Sequence, residues 1–394
     1  MTRVLTVPLS PKIAVPGLLA VVDHAVGELR RGGFVTLSAT GDGCLVMQAA
    51  EAVTPQSLGL LARLSDKPVA LALTLRRAMV LGLVERTGSP DPTDVVLLHG
   101  PAGLEAERVL PLAAAAEQTP AAERLCLPEN LSVTFFSGHS AIGAAVRLVK
   151  LARLLPAAII AQKLQTFECC ERSTVIAESL PIFITVNVED IHTYDQCVAR
   201  TLRPVSEAQV PLAGAENVRL IAFRPGDGGL EHLAIIVGMP DCTTPVLVRL
   251  HSECFTGDLL DSLRCDCGSQ LRGAIAAMTT AGAGVLLYLA QEGRGIGLVN
   301  KLRAYQLQDR GFDTLEANGQ LGFDDDERTY LPAAEMLRQL GFCRVRLMTN
   351  NPRKVEGLVS HGIDVIERVP HIFPSNAHNL SYIHTKATKG EHIF

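Results

Sequence analysis

Cys254, Cys265 and Cys267 place three soft thiolate ligands within one short segment. The ten residues from Phe255 to Arg264 are enough for a turn of helix and a return. Three protein thiolates on a tetrahedral zinc leave one position for water, the arrangement of a catalytic rather than a structural site. Zinc there brings the pKa of water towards neutrality and supplies a nucleophile for an electron-poor carbon. The plain alternative is three unrelated core cysteines, because a three-thiol set is less specific than paired CxxC motifs.

Four further segments carry chemistry-bearing side chains. Gln291-Glu-Gly-Arg-Gly-Ile-Gly297 follows a strand-like run and enters a helical one. It lacks the Lys-Ser/Thr of a Walker loop and the glycine spacing of a dinucleotide fingerprint. Either its backbone N–H groups and Arg294 bind an anion, or it is a tight turn with no ligand. Lys354, three residues after Asn351, either reaches a phosphate or faces solvent. Asp324-Asp-Asp-Glu-Arg328 reads, on its own, as a solvated acidic turn before a helix. His371, His378, His384 and His392 are too irregularly spaced for a second metal site and are assigned to surface or packing roles.

The elements that must position these groups follow from apolar periodicity. Strands are predicted at Val246–Leu250, Gly284–Leu289 and Arg344–Met348. Leu298, Leu302 and Tyr305 are expected to share a helix face, as are Ala333, Met336, Leu337 and Leu340. Asn351-Pro352 starts a helix with Val355, Leu358 and Val359 inward and Gly362 past its end. A boundary falls near residues 200–212: a helix over Asp190–Leu202 stops before Pro204, and residues 204–211 read as a linker or an edge strand. Before it, Leu19, Val22, Val26 and Leu29 mark a helix closed by Gly32-Gly33, with a strand from Phe34. Thr54-Pro55 caps a second helix carrying Leu58, Leu61 and Leu64. Strand-like runs at 67–74 and 157–161 flank a helix with Val146, Val149 and Leu151.

Composition excludes several classes. At about 150 residues per domain, 394 residues predict two or three domains. With 47% hydrophobic and 20% charged residues the chain is not disordered, and a net charge of -5 gives no case for a nucleic-acid binder. No stretch approaches the about 20 apolar residues of a membrane helix. Pro8, Pro11 and Pro16 interrupt any signal core, so a cytosolic chain is expected, with most of its 10 cysteines reduced and buried, including Cys169-Cys170 as inert thiols.

From about residue 205 onward, six ordered blocks are similar to one family. They are Arg249-Leu-His-Ser-Glu-Cys254-Phe-Thr-Gly-Asp258, Leu263-Arg-Cys-Asp-Cys-Gly268, Gln291 to Leu298, Asn318-Gly-Gln-Leu-Gly-Phe323, Thr349-Asn-Asn-Pro-Arg-Lys354 and Glu367-Arg-Val-Pro370. Together they resemble GTP cyclohydrolase II, an enzyme of riboflavin biosynthesis. The resemblance implies hydrolysis of GTP to 2,5-diamino-6-(5-phosphoribosylamino)pyrimidin-4-one, formate and diphosphate. It assigns one zinc per catalytic domain to Cys254, Cys265 and Cys267, with attack at C8 of the guanine. Arg249, Leu250, His251, Ser252, Glu253, Gln270, Glu292, Gly293, Arg294, Thr314, Thr349 and Lys354 would contact the nucleotide. Tyr305 would lie near the guanine, and Asp326 would be the proton acceptor beside Arg328, the group proposed to attack the α-phosphate. Because guanidinium stays protonated in almost every setting, Arg328 has a second possible role, stabilising charge on the leaving diphosphate. Magnesium is expected with the GTP phosphates rather than in a protein cage, and a homodimer is expected as in the family.

Residues 1–202 resemble, more weakly, 3,4-dihydroxy-2-butanone 4-phosphate synthase. Ala25 to Gly33, Ala50 to Pro55 and Val146 to Ala158 follow its framework, whereas its chemistry is missing. Its acidic loop corresponds to Ser38-Ala-Thr-Gly-Asp-Gly-Cys44, with the single carboxylate Asp42, and its His-Thr-Glu motif aligns with Ala141-Ile-Gly143. One carboxylate cannot rebuild a hard-cation site, and His139 could not replace both missing groups. The expectation is therefore a mixed α/β (α+β) protein of two αβ domains: residues 1–202, synthase-like and catalytically dead, and residues 203–394, of GTP cyclohydrolase II type. The first is expected to bury an apolar surface against the second or against a dimer partner. The alternatives are a bifunctional enzyme with residual synthase activity, and a non-catalytic GTP sensor.

Overall fold

Runs of Val, Leu, Ile and Ala become strands because such side chains pack well on pleated, buried faces. In the computed structural model they form two separate seven-stranded sheets. The structure describes residues 16–39, 43–84, 91, 93–100, 103–115, 131–163, 183–374 and 376–379. Asp42, Cys169-Cys170, His384 and His392 lie outside these residues.

The first half runs α1 (Pro16–Arg30), β1 (Phe34–Ala39), β2 (Gly43–Ala49), α2 (Pro55–Leu64), β3 (Ala70–Thr74), α3 (Leu75–Val80), β4 (Val95–His99), α4 (Ala106–Ala113), β5 (Ser132–Phe136), α5 (Ala141–Leu151), β6 (Ala157–Lys163), β7 (Ile184–Asn187) and α6 (Val188–Arg200). Its strand order is β5-β4-β3-β6-β2-β1-β7, and among the described residues only β1 and β7 pair in parallel. Alternation puts Val35, Leu37, Met47 and Ile160 on the face covered by α1 and α5, and Val46, Leu71, Leu73 and Ile159 on the face covered by α2 and α4. Thr54 caps α2 through a reciprocal capping box with Ser57.

The second half runs β8 (Arg203–Gln209), β9 (Val218–Arg224), β10 (His232–Gly238), β11 (Val246–Ser252), α7 (Phe255–Asp258), α8 (Cys267–Thr280), β12 (Ala283–Leu289), α9 (Leu298–Asp309), α10 (Thr314–Gln320), α11 (Leu331–Gln339), β13 (Arg344–Met348), α12 (Pro352–Ser360) and β14 (Asp364–Val369). The order is β14-β13-β11-β12-β10-β9-β8. The block β14-β13-β11-β12 is parallel, and β10, β9 and β8 extend it antiparallel. The two sheets share no strand, and the chain passes between them at residues 200–203. Residues 204–211 supply an exposed edge strand rather than a free linker.

Three local details go beyond or against the sequence reading. Leu302 is 48% exposed, and the inward positions of α9 are Asn300, Lys301, Ala304 and Leu307. That helix faces polar partners on other elements, so its buried side carries the groups those partners need. Val359 is 54% exposed, while Leu358 alone of the α12 set is fully buried. Cys242 and Cys343 are exposed rather than core residues. Among the described residues, no helix is long and apolar enough to cross a membrane.

Candidate active site

In an open sheet, ligands bind outside the carboxyl ends of parallel strands, where the strand order reverses. Here β11 is central, with β12 on one side and β13 on the other. The segments leaving all three strands converge on one cleft: Ser252 to Cys254 after β11, Glu292 to Arg294 after β12, and Thr349 to Asn351 after β13.

Cys254 precedes α7, and Cys265 and Cys267 lead into α8, so the chain between them makes the helical turn and return that the spacing allows. Their three sulfurs lie within 4.8 Å of one another. Two sulfurs on a tetrahedral zinc, each at about 2.3 Å, sit about 3.8 Å apart. The Cys254 and Cys265 sulfurs are 3.8 Å apart. Gly257 makes this convergence possible: a Cβ there would come 2.6 Å from Cys265 Sγ and 3.1 Å from Cys254 Sγ.

Charge at the trio is shared unequally. Hydrogen bonds from Cys265 and Cys267, with the Lys301 ammonium nearby, hold the Cys254 thiol far below its usual range. Bonding to that thiolate and burial push the Cys265 thiol up to about 11, and Cys267 is raised for the same reasons. A dication would take the place of those shared protons, so the donor set fits a soft-ligand metal.

Lys301 ties this corner together. Its Nζ donates to Cys254 Sγ (3.1 Å), Thr256 Oγ1 (2.9 Å) and Glu292 Oε1 (3.0 Å). Glu292 Oε2 accepts the Phe255 N–H at 2.7 Å, linking the glycine turn to the cysteine segment. Burial works against the Lys301 charge, yet the Cys254 thiolate beside it keeps its pKa above the usual lysine value. Tyr305, one turn further along α9, stands under the Arg264 guanidinium at 5.0 Å, and burial pushes its phenol up to about 12.

His251 is 3% exposed; its Nε2 meets both Asp258 oxygens at 3.0 and 3.1 Å, while Cys254 N and Tyr288 Oη donate to the same carboxylate. Burial, only partly offset by Asp258, lowers the His251 pKa. Arg249 donates to Met348 O at 3.0 Å and to the Gln270 side chain. Arg249 Nε and His251 Nδ1 are buried without a hydrogen-bond partner among the described residues, although both residues line the cleft. Such groups are costly to leave unmet.

The acidic segment does not behave as a solvated turn. Arg328 grips Asp326 in a fork, Nε to Oδ1 at 2.7 Å and Nη2 to Oδ2 at 2.6 Å, with the two side chains only 10% and 11% exposed. Arg328 Nη1 turns to Ser252 Oγ at 3.2 Å, at the cleft wall. Burial raises the Asp326 pKa, but bonding to Arg328 outweighs it and holds the carboxyl below its usual value.

Of the residues assigned from sequence, Arg249, His251, Ser252, Glu253, Gln270, Glu292, Gly293, Arg294, Tyr305, Thr314, Arg328, Thr349 and Lys354 line this cleft with the three cysteines. Leu250 does not: its side chain is in the core and its carbonyl accepts from Lys354 Nζ at 2.6 Å. Asp326 stands behind Arg328 rather than on the wall. His371 is a buried packing residue whose Nε2 lies 2.8 Å from Gln270 O. Sequence reasoning missed Lys301, Asn318, Asn350, Asn351, Arg264 and Gln308, which also line the cleft. The i, i+4 spacing of Lys301 and Tyr305 was the available signal for the first of these.

A family model for GTP cyclohydrolase II matches residues 203–370. The chain is 53% identical over 377 residues to GTP cyclohydrolase-2 of Azospirillum brasilense, covering 95% of this chain and 94% of that one. It is 52% identical over 192 residues to GTP cyclohydrolase-2 of Cronobacter sakazakii, covering 49% of this chain and 97% of that one. To the riboflavin biosynthesis protein RibBA of Chlorobium phaeovibrioides it is 35% identical over 366 residues, 88% of each chain. Among solved structures, RibBX of A. baumannii, a two-domain 3,4-dihydroxy-2-butanone 4-phosphate synthase, aligns with a TM-score of 0.33 and 20% identity, over 83% of this chain and 93% of that one. With a full-length relative at that level of identity, the chain belongs to the GTP cyclohydrolase II family.

Proposed function

We propose that the chain hydrolyses GTP to 2,5-diamino-6-(5-phosphoribosylamino)pyrimidin-4-one, formate and diphosphate in riboflavin biosynthesis, using zinc held by Cys254, Cys265 and Cys267. The observation that carries this is the meeting of three sulfurs within 4.8 Å of one another, two of them 3.8 Å apart, with Arg328 of the Arg328–Asp326 fork on the wall of the same cleft. Bound zinc would supply Lewis acidity and a water of lowered pKa for attack on guanine C8. Lys301 and Glu292 hold the cysteine segment against the glycine turn. Arg249 and His251 line the pocket for the nucleotide, and Tyr305 lines it together with the sulfurs. Lys354, Arg294 and Arg328 are the cations for the phosphates, which would carry magnesium.

The first half supports no synthase chemistry in this reading. Ile142 is buried in the apolar core, and a Cβ on Gly143 would come 2.1 Å from Gly138 O, so no ligand side chain fits there. Full-length protein given GTP with magnesium should release formate and diphosphate together. The same preparation should leave ribulose 5-phosphate unconsumed. Absence of formate would remove the proposal, and consumption of the sugar phosphate would restore the bifunctional alternative.

We also propose that the chain works as a homodimer. Leu259, Leu260 and Leu263 are exposed, as are Val299 and Leu302 of α9, and the Arg264–Asp309 ion pair ties the two segments together. A second copy would cover this apolar surface next to the cysteines. Sedimentation should give twice the chain mass, and a monomer of full activity would overturn the assignment.

A further inference from the structure

The two halves meet through a buried apolar cluster and a set of polar contacts. The apolar cluster sets Ala114 and Leu155 against Ile296, Ala304, Leu307, Leu321 and Phe323. Several polar contacts across the halves converge on the two loops that build the cleft. At the end of α5, Lys150 Nζ donates to Asp324 Oδ2 at 3.0 Å and to Glu327 Oε1 at 2.7 Å. Glu327 Oε1 also accepts the Asp324 N–H at 3.0 Å, closing a ring around the short segment that contains Asp326. Arg76 pairs with Asp325 in the same segment.

The glycine turn is gripped from the same side. Arg153, in the left-handed region at φ 58°, donates from Nη2 to Ala290 O at 3.1 Å and accepts from Asn300 Nδ2 at 3.0 Å. Gly297, at φ 85°, lies so close that a Cβ would come 3.2 Å from Arg153 Cδ. The two loops are tied to each other as well, through Glu327 N to Arg294 O at 3.1 Å and Arg294 Nη1 to Asp325 O at 3.2 Å.

We infer that the first half is a positioning element for the hydrolytic cleft, with Lys150 as the positioning residue that holds the Asp326–Arg328 loop through Asp324 and Glu327. The inference rests on the reading of Asp326 and Arg328 as reaction groups. Docking alone does not require this arrangement, because Arg303 and Glu51 already pair across the halves at 2.7 Å without touching either loop. Lys150 and Arg76 instead land on the residues on either side of Asp326. Burial disfavours the Lys150 charge, but Glu327 and Asp324 together raise its pKa, so the clamp stays charged. A loop fixed at both flanks has less freedom to lose when substrate binds, and a misplacement of about 1 Å can cost about 100-fold in rate.

The test is Lys150→Met in the full-length protein. kcat for diphosphate release should fall on the order of 10–100-fold. KM for GTP and zinc content should change little, and amide exchange over residues 323–329 should quicken. Lys150→Arg should recover most of the rate. Glu51→Gln should lower Tm while leaving kcat unchanged. Unchanged exchange over 323–329 in Lys150→Met would overturn the clamp whether or not GTP is turned over. A lowered Tm with intact kcat would reduce Lys150 to a docking residue and overturn the inference. Wild-type protein that fails to turn over GTP would remove the functional reading and the positioning role with it, even with the exchange response present.

Discussion

Cys265→Ser should strip the chain of zinc and lower formate release from GTP by about a thousandfold or more. Lewis-acid stabilisation by a catalytic metal is worth several kcal/mol, and each 1.36 kcal/mol is a factor of ten. Serine is smaller than cysteine and its hydroxyl is a hard, weakly acidic donor, so it cannot replace a soft thiolate at the same distance. The geometry leaves no spare ligand: the cysteines form the one group of His, Cys, Asp or Glu among the described residues close enough together to hold a metal. Asp258 is engaged with His251, Tyr288 and the Cys254 N–H, and Glu292 with Lys301 and two backbone N–H groups. Elemental analysis and formate release on the same sample check the outcome, with the exposed Cys343→Ser as the control that keeps both. A Cys265→Ser protein with full zinc and full formate release would mean that the trio is structural packing. If the chain were a GTP sensor, the variant would bind GTP as before and there would be no formate to lose.

Much of this site was legible because it is local. Cys254, Cys265 and Cys267 fall within one short segment, so their meeting can be read from spacing, and β12 announces itself as a continuous apolar run with a loop at its carboxyl end. The boundary near residue 203 follows from one proline and a change of pattern. What was illegible depends on neighbours distant in sequence. Asp324 to Glu327 read as a solvated turn because nothing nearby in sequence shows that Lys150 and Arg76 will arrive from the other half. Leu302 reads as sharing a face with Leu298 and Tyr305 because apolar periodicity is the primary helix signal, which does not say that this face is the buried one. On α9 that signal is overridden by Lys301 and Asn300, which satisfy Cys254, Glu292 and the Arg153 carbonyl. The hydrogen bonds and ion pairs that cross between the halves follow no periodic pattern that a sequence could display.

Arg328→Ala should lower diphosphate release about 100- to 1,000-fold, the usual cost of removing one preorganised charge-stabilising donor. Zinc should stay bound, because Arg328 contacts Asp326 and Ser252 rather than the cysteines. The fork decides which role this measures. With Nε and Nη2 both donating to one carboxylate, the guanidinium is held as a cation, which has no lone pair to attack phosphorus. Asp326 is the weaker base for being paired: bonding to Arg328 outweighs burial and lowers its pKa below the ordinary value of about 3.9. The pair's contribution is therefore complete above that value and is lost only as pH falls through the still lower folded value. Between pH 8 and 5 the fork stays closed, so a change in rate over that range reports another group. Asp326→Asn then separates the roles. If Asp326 had to deprotonate an arginine nucleophile, its loss would be as severe as loss of Arg328. If Arg328 stabilises the leaving diphosphate, the amide still orients the guanidinium through its carbonyl, and the variant should retain much more activity than Arg328→Ala. The expected result is the milder one, with no guanylyl adduct trapped on Arg328 by denaturing quench and mass spectrometry. A trapped adduct, with Asp326→Asn as inactive as Arg328→Ala, would establish the nucleophile instead.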